Sequence, residues 1–336
     1  MKATKLYPAL SALALLVLLY CRSAQTNNVD ETMDRAANVV KPPQFSESFW
    51  SYWSDGQAEM AGYDLTIPRY RDLRHGTAVT IFVTERFSNA VRVKADPGKH
   101  ADSDQFPVMK LNLVKDFPTG IYDYNVMLSS FVALQAVNAR PAGWLTKASF
   151  SSQEWCGHVY SQLLFDPRRI RHTLHSYFDG EQDQQNTLAY PENGISEDAL
   201  WFWARGLAAP SLGPGESVQV PLLMSLQEAR FAHRPVAWRP GELSRSSETE
   251  QISVPAGEFT IEKWVAEVDA GDRGRRSRTF YVEAAEPRRI IRWESSDGES
   301  AQMLAGDRLE YWRMNGSEYA TAVEKLGLSA RPSRTP

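Results

Sequence analysis

Cysteine is almost missing, with 2 in 336 residues. Cys21 closes an apolar N-terminal segment, and Cys156 is alone in the rest of the chain. Once Cys21 is acylated or removed, Cys156 has no partner. The mature chain then has no intramolecular disulfide even in an oxidising compartment, and its stability rests on a packed core. A lone thiol in that setting is safest when buried, so burial is the expectation for Cys156. Basic charge is not in excess either: 37 Lys and Arg face 41 Asp and Glu, a net charge of −4. That balance removes the electrostatic basis for binding a nucleic-acid backbone. The run from Leu10 to Tyr20 is too short to span a bilayer comfortably, and no internal repeat points to a solenoid or propeller.

What is present is globular. Apolar residues make up 43% of the chain and charged residues 23%, the balance of a folded body. Trp and Tyr number 10 and 13, which suits a β-rich protein with large packed faces and equally suits carbohydrate or apolar-ligand binding.

Residues 1–21 have the layout of an export leader, with Lys2 and Lys5 ahead of the apolar run. The string LLYC is similar to a bacterial lipoprotein box, which would make Cys21 the lipidated mature N-terminus. Tyr20 stands where that box usually has a small residue, and plain cleavage near Ser23-Ala24 is the rival reading. Residues 22–44 are polar, end in Lys41-Pro42-Pro43 and read as a flexible tether.

From 45 onward the pattern is mainly β: a large curved antiparallel sheet or barrel with a few short peripheral helices. The β-rich domain is expected over 45–316, with a possible sub-boundary near 241, and a short helix and tail over 317–336. FSESFWSYWSDG (45–56) predicts a helix started by Ser46 or Ser48 and ended by Gly56. In GTAVTIFVTERF, Val79, Ile81 and Val83 alternate with Thr80, Phe82 and Thr84, a strand with both faces covered. In VMKLNLVKD, Met109, Leu111 and Leu113 point inward. SEDALWFWARGL (196–207) predicts the best helix, capped by Ser196. GPGESVQVPLL and EARFAHRPVAW read as strands, and 249–316 reads as a meander. The loop 95–107 carries Asp96, His100, Asp102 and Asp104, whose spacing fits no calcium loop and reads as a solvated turn. The arginines at 273–278 read as a solvated hairpin tip.

The stretch 149–180 holds Cys156 and three of the 6 histidines. It reads as two strands folded back through Asp166-Pro167-Arg168. Period-two alternation puts Glu154, Cys156 and His158 on one face and His175, Tyr177 and Asp179 on one face of the return strand. A register in which paired numbers sum to 333 sets His158 against His175, Cys156 against Tyr177 and Glu154 against Asp179. A one-residue slip disperses the group, and the sequence does not choose the register.

QEWCGHVY followed by HSYFDGEQD, with KLNLVKDFPTGIYDYNVM and FWSYW…GQAEMAGYDLTIPRY ahead of them, resembles a family of uncharacterised exported bacterial proteins over roughly residues 49–240. Members are sometimes labelled septum formation inhibitor Maf, after a cytoplasmic nucleotide pyrophosphatase. That enzyme has a serine-rich SPRR-type motif near its start, which this chain lacks, and Asp166-Pro167-Arg168-Arg169 lies mid-chain. VPAGEF (254–259) and TFYVEAAEPRRIIRW (279–293) are similar to the closing strands of exported bacterial β-barrel proteins of unknown function. Neither resemblance supplies a catalytic residue.

The expected function is a non-catalytic cell-envelope protein, an outer-membrane lipoprotein or periplasmic, that binds a small ligand or an envelope component. The expected ligand residues are Glu154, Cys156, His158, His175, Tyr177 and Asp179. No metal or cofactor is called for, since the spacing of these groups matches no standard zinc set. Nucleic acid is not an expected partner, and a membrane is engaged by a lipid anchor at most. The alternative is a hydrolase-type enzyme with Cys156 as nucleophile and His158 or His175 as base, which needs the thiolate and base within hydrogen-bond reach.

Overall fold

The structure is a computed structural model and describes residues 40–330. The leader, Cys21 and most of the expected tether lie outside the described residues. The described chain begins packed: Val40 is buried, and the Lys41 carbonyl accepts from the Ser211 amide at 2.8 Å.

Alternating apolar residues make most of the chain strand. The first half is one antiparallel meander: β1 (Ala58–Arg69), β2 (Asp72–Ser88), β3 (Gln105–Thr119), β4 (Tyr122–Ala133), β5 (Leu145–Glu154), β6 (Gly157–Phe165), β7 (Arg169–Ser176) and β8 (Gln184–Ala189). After a two-residue β9 (Ile195–Ser196) come β10 (Ser217–Leu223), β11 (Trp238–Arg245), β12 (Glu250–Val254), β13 (Gly257–Asp269), β14 (Arg275–Glu283), β15 (Ile290–Ser295) and β16 (Ser300–Leu309). All belong to one 16-stranded sheet. The first strand is clasped by the last, since β1 pairs antiparallel with β16, and the two ends of the strand order are β8 and β9. The sheet is mainly β and curled like a barrel, but not closed. Trp238 of β11 donates its indole N–H to the Ala189 carbonyl of β8 at 2.9 Å, so the two flanks meet across a seam without a ladder between them.

The inward face is chosen by period two. Tyr63, Leu65 and Ile67 of β1, Thr80 and Phe82 of β2, and Met109, Leu111 and Leu113 of β3 are all buried. Val79 and Ile81 are covered too, but from outside: with Met60 and Val83 they pack against Leu326 and Leu328 of the C-terminal segment. Gly62 allows that approach, because a Cβ there would run into the Leu326 carbonyl oxygen.

Helix α1 (Glu47–Trp53) starts as its sequence predicts, with Ser46 Oγ accepting from the Phe49 amide at 3.2 Å. The helix expected over 196–207 is much shorter. A single 3-10 turn, Glu197–Ala199, leads into α2 (Leu200–Trp203), and Gly206 at φ +75° ends the segment. The reason is location. All four α2 side chains are buried, so α2 is a plug inside the barrel, not a peripheral amphipathic helix. The rings of Trp201, Phe202 and Trp203 meet Trp293, Phe280, Phe82 and Trp264 edge to face at 4.9–5.8 Å, and thereby hold four different strands around one core.

The strand expected in EARFAHRPVAW is instead helix α3 (Leu226–Ala232), and β11 begins only at Trp238. Ser225 Oγ accepts from the Glu228 amide at 3.2 Å, a capping arrangement that fixes the helix start. The Leu226 amide donates to the buried Asp198 carboxylate at 3.2 Å.

Candidate functional site

In a meander, alternate hairpins turn at the same end. The tips Tyr70-Arg71, Gly120-Ile121 and Trp155-Cys156 and the loop 177–183 therefore share one end of the barrel. Helix α3 lies at this end. Arg230 Nη1 is 3.3 Å from Glu181 Oε1, and the Phe231 and Tyr124 rings are 6.4 Å apart.

The stretch 149–180 forms three strands, not two. The turn at Asp166-Pro167-Arg168 is present, with the Asp166 amide donating to the Arg169 carbonyl at 2.9 Å. A second turn interrupts the first expected strand, where Glu154 pairs with Gly157 across Trp155 and Cys156. Gly157 is needed there because a Cβ would lie 2.5 Å from the Tyr177 ring. In the β6–β7 pairing Tyr160 faces His175 and Val159 faces Ser176, so paired numbers sum to 335 and not 333. His158 consequently sits beside Tyr177, whose amide donates to the His158 carbonyl at 3.4 Å.

The six residues do not form one cluster. Cys156 is exposed at the hairpin tip, against the expectation of burial, and Glu154 accepts from its amide at 3.1 Å. A hydrogen bond to the Glu154 carboxylate, and then that carboxylate's charge, push the thiol pKa up. That is the wrong direction for a nucleophile, which works as thiolate. His175 is paired with Asp183 at 3.2 Å on the surface, and Tyr177 is 72% exposed. His158 and Asp179 are exposed. Among the described residues no group of three His, Cys, Asp or Glu is arranged to hold a metal. In the 95–107 loop, Asp104 accepts from Ser88 Oγ and the Ala90 amide, ordinary loop fastening.

A cavity of about 540 Å³ lies behind the same strands, between β6–β8 and α3, where the open seam of the sheet falls. Its apolar wall includes Leu174, Leu188, Leu226 and Val236, and its polar groups include His172 and Arg230. His172 and Ser161, both buried, face each other diagonally on β7 and β6 with Nε2 and Oγ 2.9 Å apart. Burial pushes the imidazole pKa down, so His172 is neutral near pH 7. Among the described residues no carboxylate meets its other ring nitrogen. The Ser161–His172 pair therefore lacks the orienting acid of a hydrolytic triad and reads as a satisfied polar contact in the wall.

Arg230 is the unusual group. Its side chain is 3% exposed, its guanidinium carbon lies 3.9 Å from the centre of the Phe178 ring, and its Nε is buried without a partner. Glu181 is its acid, but Glu181 is shared: it also meets His233 Nδ1 at 2.6 Å and accepts from Ser176 Oγ at 2.7 Å. Burial pulls the Arg230 pKa down and Glu181 opposes that pull. The cavity lining thus combines apolar side chains with a buried guanidinium and a neutral imidazole, the composition of a pocket for a small amphipathic molecule. The six residues expected from the sequence lie on β5, β6, β7 and the turns beside them, and none of them lines this cavity. Arg230, His172 and Glu181 were missed, and the one available signal was the Ser225…Glu228 capping pair that marks α3.

These features define a β-barrel-like protein with an internal plug and a cavity at its seam. No known protein family matches the chain, and no curated protein is similar to it. Among solved structures it is similar to a β-barrel-like protein of a domain of unknown function, DUF1849, from Brucella abortus. The identity is 11% and the TM-score 0.41, over 75% of this chain and 98% of that one.

Proposed function

We propose that this chain is a non-catalytic protein of the cell envelope that binds a small amphipathic ligand in the seam cavity. The observation that carries the reading is the buried Arg230 at the wall of a cavity of about 540 Å³ that is otherwise half apolar. Such a pocket solvates an apolar body and fixes a polar end. The envelope location is supported by the leader pattern of residues 1–21 and by the resemblance of 49–240 and 254–293 to exported bacterial proteins. A cysteine hydrolase is not favoured, because the Cys156 thiol is exposed, held protonated by Glu154, and outside this cavity.

The test uses 1-anilinonaphthalene-8-sulfonate, an apolar anion whose fluorescence rises on leaving water. Saturable binding that is lost in Leu188→Trp, which fills the cavity, and weakened in Arg230→Gln supports the reading. Absence of saturable binding, or binding indifferent to both substitutions, rejects it. Palmitate incorporation in wild type against Cys21→Ala separates a lipid-anchored form from a free periplasmic one.

A further inference from the structure

Helix α3 has two sides, and each borders a different cavity. Leu226, Ala229, Arg230 and His233 face the seam cavity. Gln227, Glu228 and Phe231 border a second cavity of about 310 Å³ at the same end of the barrel. Four arginines line the second cavity: Arg69 at the end of β1, Arg71 in the β1–β2 turn, and Arg276 and Arg278 on β14. Two carboxylates accompany them, Glu228 and Asp297. Glu228 is already engaged, by Arg239 at 3.2 Å and by Arg276, and Arg276 also holds Glu197 at 2.7 Å.

Arg69 is the decisive residue. It is buried, with 8% of its surface exposed, and among the described residues no carboxylate forms an ion pair with it. Its Nη2 donates to the Tyr124 hydroxyl at 3.1 Å, and its Nε is buried without a partner. Its guanidinium carbon lies 4.5 Å from the Tyr70 ring centre, 5.1 Å from Tyr124 and 4.5 Å from Phe231. Aromatic faces attract a cation, by about 2 kcal/mol or more when desolvated. They do not neutralise it, and an uncompensated buried ion costs several kcal/mol. Arg278 donates Nε to Ser295 Oγ at 2.9 Å, and its charge also reaches the buried Glu299 and Glu197. Arg71 is exposed in a turn where it and Tyr70 both take left-handed backbone, at φ +68° and +55°. Glycine or asparagine is the ordinary occupant of such a turn, and bulky residues there are held by their surroundings. Here the Tyr70 hydroxyl meets the Tyr124 hydroxyl at 2.5 Å.

We propose that this cavity is a binding site for a phosphate group, free or carried on a small organic molecule or lipid headgroup, seated among Arg69, Arg71 and Arg278. Guanidinium forks match the oxygens of phosphate in pairs, and a dianion answers the excess of positive charge better than a single carboxylate. The cavity is large enough for the phosphate and a small organic group beside it. Cationic crowding extends beyond it, since the charge of Arg69 contributes to lowering the pKa of Arg230. The site is separate from the seam cavity, and neither assignment depends on the other.

The test is isothermal titration of the full chain with inorganic phosphate and with glycerol 3-phosphate. Alongside it runs co-sedimentation with vesicles of phosphatidylcholine alone and of equal parts phosphatidylcholine and phosphatidate. Saturable binding of either soluble phosphate is expected, weakened about tenfold by Arg71→Gln and by Arg278→Gln, the loss of one charged hydrogen-bonding group. Arg69→Gln is expected to abolish it. Should that variant fail to fold, Arg71→Gln, exposed and remote from the core, still decides the matter. Binding to phosphatidate vesicles alone, lost in Arg71→Gln, supports the site with a lipid as its ligand. No binding in any arm, or binding unchanged by Arg71→Gln and Arg278→Gln, overturns it.

Discussion

Lys115 Nζ lies 2.6 Å from Glu299 Oε1, and both side chains are 2% exposed. Gln227 joins them, accepting from Lys115 at 2.8 Å and donating to Glu299 at 2.9 Å, and the Trp293 indole donates to Glu299 at 3.0 Å. A buried pair of this kind is costly to break from one side, because the surviving ion is left in the core without its counter-charge. Lys115→Met is expected to destabilise by about 3–5 kcal/mol, and Lys115→Met with Glu299→Leu to recover much of that loss. Urea titration checks both. The same pair predicts acid sensitivity. Burial alone would raise the Glu299 pKa, but Lys115, Arg278 and the donors around it hold it near about 2, against an ordinary 4.5. Its contribution is complete above pH 4.5 and is lost as pH falls through about 2. Glu299→Gln should flatten that part of the stability profile, and an unchanged acid limb would refute the assignment.

Asp198 behaves oppositely. Burial pushes its pKa up to about 7, against the opposing donation from the Leu226 amide and with Glu197 adding to the rise. A carboxyl raised in the folded state favours folding most below its unfolded pKa of 3.8, and that advantage is lost as pH rises through about 7. Asp198→Asn keeps an acceptor for Leu226 and removes the titration. The melting temperature of the variant should fall less than that of wild type between pH 5 and pH 8. Equal falls would show that Asp198 ionises in the folded protein as it does in the unfolded one.

The thiol at the β5–β6 tip gives a chemical test of the turn. Ellman's reagent should reach Cys156 without denaturant, and Cys156→Ala should leave the melting temperature unchanged. Because Glu154 holds the thiol protonated, Glu154→Gln should speed alkylation at pH 8. A thiol that reacts only in urea would place Cys156 in packed core after all.

Phe202 is fully buried and meets the Phe82 ring edge to face at 5.8 Å. Phe202→Ala opens a void between the plug and the wall and is expected to cost about 3–5 kcal/mol. Chemical denaturation measures it, and a loss below about 1 kcal/mol would mean that the plug is not seated in the core.

The walls of the barrel are readable from the chain because each strand alternates with its own period. Met109, Leu111 and Leu113 declare the inner face of β3, and the unbroken 79–84 run declares a strand covered on both sides. The α1 start is equally local, a serine ahead of aromatic residues. The tight turn at Trp155-Cys156 contains no Asn-Gly or Asp-Gly, so nothing but Gly157 marks it. That turn splits the first expected strand into β5 and β6, and the β6–β7 register is set separately at Asp166-Pro167-Arg168. Helix α3 was hidden because Ala229, Phe231 and His233 alternate with Arg230 and Ala232 as a strand would. The cavities were beyond local reading for a different reason. Glu181 and Arg230 meet across 49 positions of sequence, and Arg69 and Tyr124 across 55, so their proximity is a property of how the sheet curls.

The clasp of β1 by β16 joins residues 58–66 to residues 300–309. The chain therefore has β1 bare along one side until residues 300–309 are available to pair with it. Its unpaired amides and carbonyls are a template for pairing between molecules during that interval. Non-local closure of this kind also slows folding. Premature termination anywhere before β16 would leave that flank uncovered for good, so shortened forms of this protein should collect as aggregates and not as smaller soluble folds.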